Sequence, residues 1–161
     1  MVQTGEWRCV VYKNILVPVD GSDTADTALR EAIKLARSQS TGLRIINIVD
    51  SAIDVWDSEF TPIGLEQIRE SARSFARNLL EKAQQLARHE GVEVETKLLE
   101  VERPGQRVAK VIVEEARRWP ADLIVMGTHG RRGLDHLFLG SVAEGVMRLS
   151  PAPVLLVRER P

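Results

Sequence analysis

A glycine-rich stretch late in the chain, MGTHGRRGLDHLFLGS at residues 126–141, has the residue types and spacing of a phosphate site. We expect Gly127 and Gly130, which follow an apolar run, to adopt positive φ and to let a ligand approach the backbone without a Cβ in the way. Gly140 and Ser141 stand where the next helix begins. Unpaired N–H groups and the helix dipole favour an anion there, and the Ser141 hydroxyl adds a donor. The stretch therefore predicts a phosphate cradle.

Two simpler interpretations of these residues are weaker. The glycines could only make turns, and Ser141 could only cap its helix, as serine often does. The full order of strand, G-x-x-G, nine residues and G-S at a helix start is harder to explain by turns alone. Arg131 and Arg132 lie inside the same loop. They could pair with phosphates or form a solvated basic pair at the loop tip, and both interpretations stay open.

The histidines near the glycines give little support for catalysis. His129 precedes Gly130, and His136 adjoins Asp135, but no G-x-S-x-G marks an activated serine nucleophile. The three histidines of the chain also lack the i, i+4 spacing of a zinc-binding helix. We therefore expect exposed loop histidines without an acyl-transfer or metal role.

The chain also lacks G-x-x-x-x-G-K-[ST], so the lysine that supports phosphoryl transfer in P-loop enzymes is missing. A bound nucleotide would then meet few catalytic groups, and we expect little or no catalysis. Magnesium could accompany the phosphates, with Asp20 or the acidic residues Asp54, Asp57 and Glu59 as possible carboxylates. No spacing favours either choice, so the metal ligands stay unassigned.

Composition limits the class of protein. A chain of 161 residues suits one domain, and 22 basic against 23 acidic residues create no field that would attract nucleic acid. Cys9 is the only cysteine, which excludes an intrachain disulfide and favours a reducing cytoplasm. No apolar run is long enough for a signal peptide or a membrane span, so we expect neither export nor membrane insertion.

Strands and helices alternate along the chain and would position the glycine stretch. The predicted elements are a strand at 14–20, a helix after the N-cap residue Ser22, a strand at 42–50, an irregular loop at 51–63, a helix from about Pro62 to near Gly91, a half-exposed strand at 92–101, a helix opened by Pro104 and stopped by Pro120, a strand at 122–127, a helix at 141–150 and a strand at 154–157. The long helix is expected to bury one stripe, made of Ile68, Ala72, Phe75, Leu79, Ala83 and Leu86.

Five strands alternating with four helices predict an α/β domain with a single doubly wound, mostly parallel five-stranded sheet and helices on both faces. In such sheets ligands bind beyond the carboxyl ends of the strands, where the strand order reverses, and the glycine stretch leaves the end of a strand. The strand at 92–101 is expected near one edge. The last strand, VLLV, could form another edge, either covered within the monomer or open to association.

Three segments together resemble the universal stress protein family. GTHGRRGLDHLFLGS resembles its nucleotide-binding signature, G-x-x-G, nine residues, G-[ST], while ILVPVDGS and SVAEGVMRLSPAPVLLV resemble its first strand and its closing helix and strand. The resemblance covers roughly residues 12–158 and identifies the ATP-binding (UspA-like) subgroup. It implies a Rossmann-like universal stress protein domain at residues 13–161, preceded by an N-terminal extension at residues 1–12.

The resemblance also implies ligands and partners. ATP, or AMP or ADP, would bind with Pro18, Val19 and Asp20 along the adenosine, although Asp20 alone is typical of a turn. Ile48 would contact adenine through its backbone. The ribose and phosphates would be held by Met126, Gly127, Gly130, Gly140, Ser141 and Val142. A homodimer would form through the strand from Val154 to Val157.

The function implied is that of a cytoplasmic, nucleotide-dependent stress-response or regulatory module. Two alternatives belong to other classes: an ATP-splitting, adenylating enzyme, disfavoured because S-G-G-x-D-S is absent, and a dimeric protein that docks a partner without nucleotide. Flavodoxin-like FMN binding is weaker still, because flavodoxins place their phosphate loop after the first strand.

Overall fold

The computed structural model describes residues 12–50, 62–101, 107–130 and 139–158, and strands and helices alternate throughout them. The elements are β1 (Asn14–Pro18), α1 (Asp23–Gln39), β2 (Gly42–Val49), α2 (Pro62–His89), β3 (Val94–Glu100), α3 (Val108–Arg118), β4 (Leu123–Gly127), α4 (Ser141–Leu149) and β5 (Val154–Val157).

All five strands lie in one parallel sheet with the order β3-β2-β1-β4-β5. The chain runs outward from β1 through β2 to β3, then returns to the other side of β1 and continues through β4 to β5. The strand order therefore reverses between β1 and β4. This confirms the predicted doubly wound sheet, with β3 and β5 as its edges.

The helices cover both faces of the sheet, as predicted. On one face, α1 and α2 pack on alternate residues of β1, β2 and β4, including Val17, Ile45 and Val125. On the other face, α3 and α4 pack on Leu16, Ile46 and Ile124. Because β4 is covered on both sides, all of its residues are buried, as the apolar run DLIVMG indicates.

The predicted start of α1 is confirmed, and the predicted start of α3 is wrong. Ser22 caps α1, because its Oγ accepts a hydrogen bond from the Ala25 amide at 3.3 Å. For α3, Arg107 has an extended backbone at φ −86° and ψ 141°, so the helix begins at Val108 and not at Pro104, which lies outside the described residues. The strand predicted to reach residue 20 ends at Pro18.

The predicted buried stripe of α2 is confirmed only in part. Ala83 is buried and Leu79 and Leu86 pack against the core, but the centre of the buried face is rotated from the predicted one. Among the α2 residues whose burial is described, Ala76, Leu80, Ala83 and Ala87 are buried, whereas Ile68 is 39% and Phe75 is 50% exposed. The small side chains of Ala76, Ala83 and Ala87 let α2 lie close to β2 and β3. The bulkier residues of the predicted stripe are therefore left at its margin.

Candidate functional site

A cleft of about 780 Å³ opens where β1, β2 and β4 end. It extends over the carboxyl ends of these strands, from α2 on one face of the sheet to α3 and α4 on the other. This is where the strand order reverses, the usual position of ligand sites in open α/β sheets, and the volume is typical of a small-molecule pocket.

The structure brings the predicted site residues together around this cleft. Those that line it are Pro18, Val19, Asp20, Ile48, Met126, Gly127, Gly130, Gly140, Ser141 and Val142. Arg131 lies outside the described residues, as do Arg132, Asp54, Asp57 and Glu59. Segments more than 100 positions apart in the sequence thus meet at one surface.

The two halves of the glycine stretch are joined by a backbone hydrogen bond. The Gly140 amide donates to the Thr128 carbonyl oxygen at 2.9 Å, which places the start of α4 beside the end of β4. Gly140 is the N-cap of α4, and the exposed Ser141 is the first helical residue, so the interpretation of Ser141 as a cap is wrong. The positive end of the helix dipole and the first amides of α4 therefore adjoin the cleft.

The prediction of positive φ at Gly127 and Gly130 is wrong, because among the described glycines only Gly21 and Gly91 have it. Gly127 and Gly130 instead make room for other parts of the protein. A Cβ at Gly127 would lie 2.7 Å from Thr24 Oγ1, and one at Gly130 would lie 2.8 Å from Asp20 Oδ2. Glycine at both positions thus allows the loop after β4 to approach the turn after β1.

Hydrogen bonds connect that turn to the glycine stretch through Ser22 and Thr24, whose hydroxyl oxygens are 3.4 Å apart. The Asp20 carboxylate accepts from the Ser22 amide at 3.0 Å and from the Ser22 hydroxyl at 2.6 Å, so Asp20 does have the turn role expected of it. Thr24 Oγ1 donates to the His129 carbonyl oxygen at 2.6 Å. The two loops that border the cleft are therefore held in a fixed relation.

Replacing Thr24 by valine tests this connection. We expect the free energy of unfolding to fall by about 1 kcal/mol, because valine keeps the shape but leaves the His129 carbonyl without this donor. Amide hydrogen exchange at residues 128–130 should become faster. Thr27→Val is the matched control: Thr27 is on the same helix, and its hydroxyl donates to the Asp23 carbonyl within α1. If both variants loosen residues 128–130 equally, the hydrogen bond does not hold the loop.

His129 differs from its expected exposed state. Its side chain is half-buried, and Nδ1 lies 2.9 Å from Thr128 Oγ1. Its Nε2 atom is buried and has no hydrogen-bond partner within the described part of the chain. His136 lies outside that part, while His89 at the end of α2 is exposed, as expected.

Sequence reasoning missed several residues that line the cleft. Asn47 is buried, and its Nδ2 donates to the Val19 carbonyl oxygen at 2.7 Å, which fixes the end of β1 against β2. A polar residue inside the apolar run RIINIV was a signal for it. Phe75 was assigned to the core, although it lines the cleft from α2.

An ion pair joins α2 to the end of β3. Arg73 on α2 donates from Nε to Glu100 Oε1 at 2.9 Å, at the end of β3. A hydrogen bond to Glu100, and to a smaller extent one to Glu66, raises the pKa of Arg73 above its usual value.

The described residues contain neither a candidate metal centre nor a helix that could span a membrane. In residues 12–50, 62–101, 107–130 and 139–158, no group of three or more histidine, cysteine, aspartate or glutamate side chains is placed to hold a metal ion. No helix in those ranges is long and apolar enough to cross a membrane.

Sequence comparisons agree over nearly the whole chain. The model of the universal stress protein family matches residues 11–158. A protein of Staphylococcus haemolyticus named as a universal stress protein is 37% identical over 154 residues, which cover 92% of this chain and 86% of that protein.

Solved structures show the same relationship. Universal stress protein UspA from Lactobacillus plantarum has a TM-score of 0.76 at 27% identity, over 91% of this chain and 98% of its own. One universal stress protein solved in complex with cAMP has a TM-score of 0.65 at 25% identity, over 92% and 98%. Another, from Archaeoglobus fulgidus in complex with dAMP, has a TM-score of 0.59 at 26% identity, over 91% and 98%. On the match of the family model and the identity to its relatives, the chain belongs to the universal stress protein family.

Proposed function

We propose that this protein binds ATP in the cleft and acts as a stress-response or regulatory module whose state depends on the bound nucleotide. The observation that carries the proposal is the hydrogen bond from the Gly140 amide to the Thr128 carbonyl. It brings Gly127, Gly130 and the N-terminus of α4 to one edge of the cleft, where backbone amides and the helix dipole can hold phosphates.

The remaining cleft residues suit the rest of a nucleotide. Asp20 at the end of β1 would accept hydrogen bonds from the ribose, and the backbone of Ile48 at the end of β2 would contact the adenine. Met126 and Val142 would enclose the ribose and phosphates. The relatives solved with cAMP and dAMP support an adenine nucleotide, since adenine and a phosphate are common to both ligands.

We propose that hydrolysis is slow or absent and that Mg²⁺ would be held mainly by the phosphates. The cleft-lining residues include the carboxylates Asp20 and Asp50. Asp20 accepts two hydrogen bonds from Ser22 and is proposed to accept others from the ribose, so little of its acceptor capacity would be left for a general base or a metal ligand. The phosphate-binding lysine of P-loop enzymes is missing from the sequence.

We also propose a cytoplasmic homodimer that pairs through β5. This strand is at the edge of the sheet, where its backbone can accept another strand. Leu155 on β5 is 40% exposed, and Met147 and Leu149 on α4 are 46% and 43% exposed. These apolar side chains would be covered by the partner subunit.

The test of nucleotide binding uses the freshly purified protein. Denaturation followed by chromatography should release an adenine nucleotide, and ATP titrated with Mg²⁺ into stripped protein should give measurable calorimetric binding. The absence of both a bound nucleotide and a measurable affinity for ATP, ADP or AMP would contradict the proposal. The glycines would then serve only the packing of the two loops, and a nucleotide-independent docking role would be favoured.

A further inference from the structure

Phe75 is an aromatic residue of the cleft that no part of the glycine motif explains. It is on α2, it lines the cleft, and half of its surface is exposed. Its neighbours one turn before and one residue after, Ala72 and Ala76, also line the cleft. Small side chains beside an exposed ring leave room for a flat ligand against that ring.

The ring of Phe75 lies beside the turn that carries Asp20. Its Cζ atom is 3.6 Å from the position that a Cβ at Gly21 would occupy. Val49 and Asp50, at the end of β2, also line the cleft. The ring is therefore close to the carboxylate proposed for the ribose, whereas the start of α4, proposed for the phosphates, is on the other face of the sheet.

Exposed aromatic surface is unfavourable in water, and covering it stabilises a complex. A nucleotide has one flat apolar part, its base, and the base is attached to the ribose. If Asp20 binds the ribose, the base is the part that can reach Phe75. Inorganic phosphate or a phosphate chain would gain nothing from an aromatic face.

We propose that Phe75 stacks on the base of the bound nucleotide and so makes affinity depend on a planar base as well as on phosphates. This inference rests on the proposed function, because it assigns a residue to the same site. The backbone of Ile48 would contact the edge of the base, while Phe75 would cover one of its faces.

The test compares Phe75→Ala with the wild-type protein by calorimetry with Mg²⁺ and two probes. ATP carries the base, and inorganic tripolyphosphate carries only the phosphate chain. We expect Phe75→Ala to weaken ATP binding about tenfold, the size of one lost base–aromatic stack. Binding of tripolyphosphate should not change, and Phe75→Trp should retain the ATP affinity.

Ile68→Ala is the matched control, because Ile68 is an exposed apolar residue on the same helix and does not line the cleft. It should leave ATP binding unchanged. An unchanged ATP affinity in Phe75→Ala, or an equal loss of affinity for ATP and tripolyphosphate, would overturn the role of Phe75. The proposal that the wild-type protein binds ATP would still stand. A wild-type protein that binds no ATP would overturn both proposals.

Discussion

Replacing Glu115 by alanine is expected to lower the free energy of unfolding by about 3 kcal/mol. Glu115 is on α3 with 1% of its side chain exposed, and it pairs with cations from two strands. Arg44 Nη1 on β2 is 2.7 Å from Oε1, and Lys97 Nζ on β3 is 2.8 Å from Oε2. Removing the carboxylate leaves both cations without this partner.

The expected loss is at the lower end of what such a change can cause, because both cations keep other contacts. Lys97 is 42% exposed, so its ammonium can regain water. Arg44 keeps its ion pair with Glu95, and its guanidinium carbon is 4.6 Å from the centre of the Trp119 ring. Arg44 is only 17% exposed, so most of the cost comes from its incomplete hydration.

Urea unfolding of the purified variants measures this loss. Glu114→Ala is the matched control, since it makes the same change one residue earlier on α3 at a half-buried position, and we expect it to cost about 0.5 kcal/mol or less. In a Lys97→Met background, Glu115→Ala should cost less than in the wild type, because one cation fewer loses its partner. Equal losses for Glu114→Ala and Glu115→Ala would show that the buried ion pairs are not stabilising.

The elements with local signals could be predicted from the sequence. Ser22 indicates the start of α1 because capping depends on a side chain and amides within one turn. The unbroken apolar run of β4 indicates a strand covered on both faces, and β4 is buried throughout. The alternation of such elements, with parallel crossovers, then limits the fold to a doubly wound sheet.

Features set by contacts distant in sequence could not be predicted. Apolar periodicity predicts that α2 has a buried face, but it does not fix which residues form the centre of that face. Close packing on the sheet places the alanines there, and Phe75 is left at the cleft. The glycines suggested positive φ, although their neighbours Thr24 and Asp20, more than 100 positions away in sequence, are what require them. The expectation of positive φ at both glycines was wrong, while the expected approach of a ligand to their backbone stays a prediction.

Replacing Gly140 by leucine is expected to weaken ATP binding at least about 100-fold while the fold is retained. Gly140 has φ −64° and ψ 147°, a conformation open to any residue, so the backbone itself is not strained. A Cβ there would lie 3.2 Å from the Thr128 oxygen and 3.5 Å from His129 Cα. Leucine would push the loop after β4 away from the start of α4, and about 2.7 kcal/mol of lost phosphate binding corresponds to the 100-fold change.

Gly91→Leu separates a loss of binding from a loss of stability. Gly91 has φ +76° and does not line the cleft, so leucine there should cost about 1 kcal/mol of stability without changing the affinity for ATP. Calorimetry with ATP and Mg²⁺, together with urea unfolding, compares the two variants.

If Gly140→Leu binds ATP as the wild type does, phosphates are not held between Gly130 and α4. If Gly140→Leu lowers the free energy of unfolding by as much as Gly91→Leu or more, glycine at position 140 is required mainly for the packing of the two loops. Retained stability with lost binding is the expected combination, because the approach of Gly140 to Thr128 shapes the cleft edge, whereas the sheet and its four helices are held by the two cores on either face.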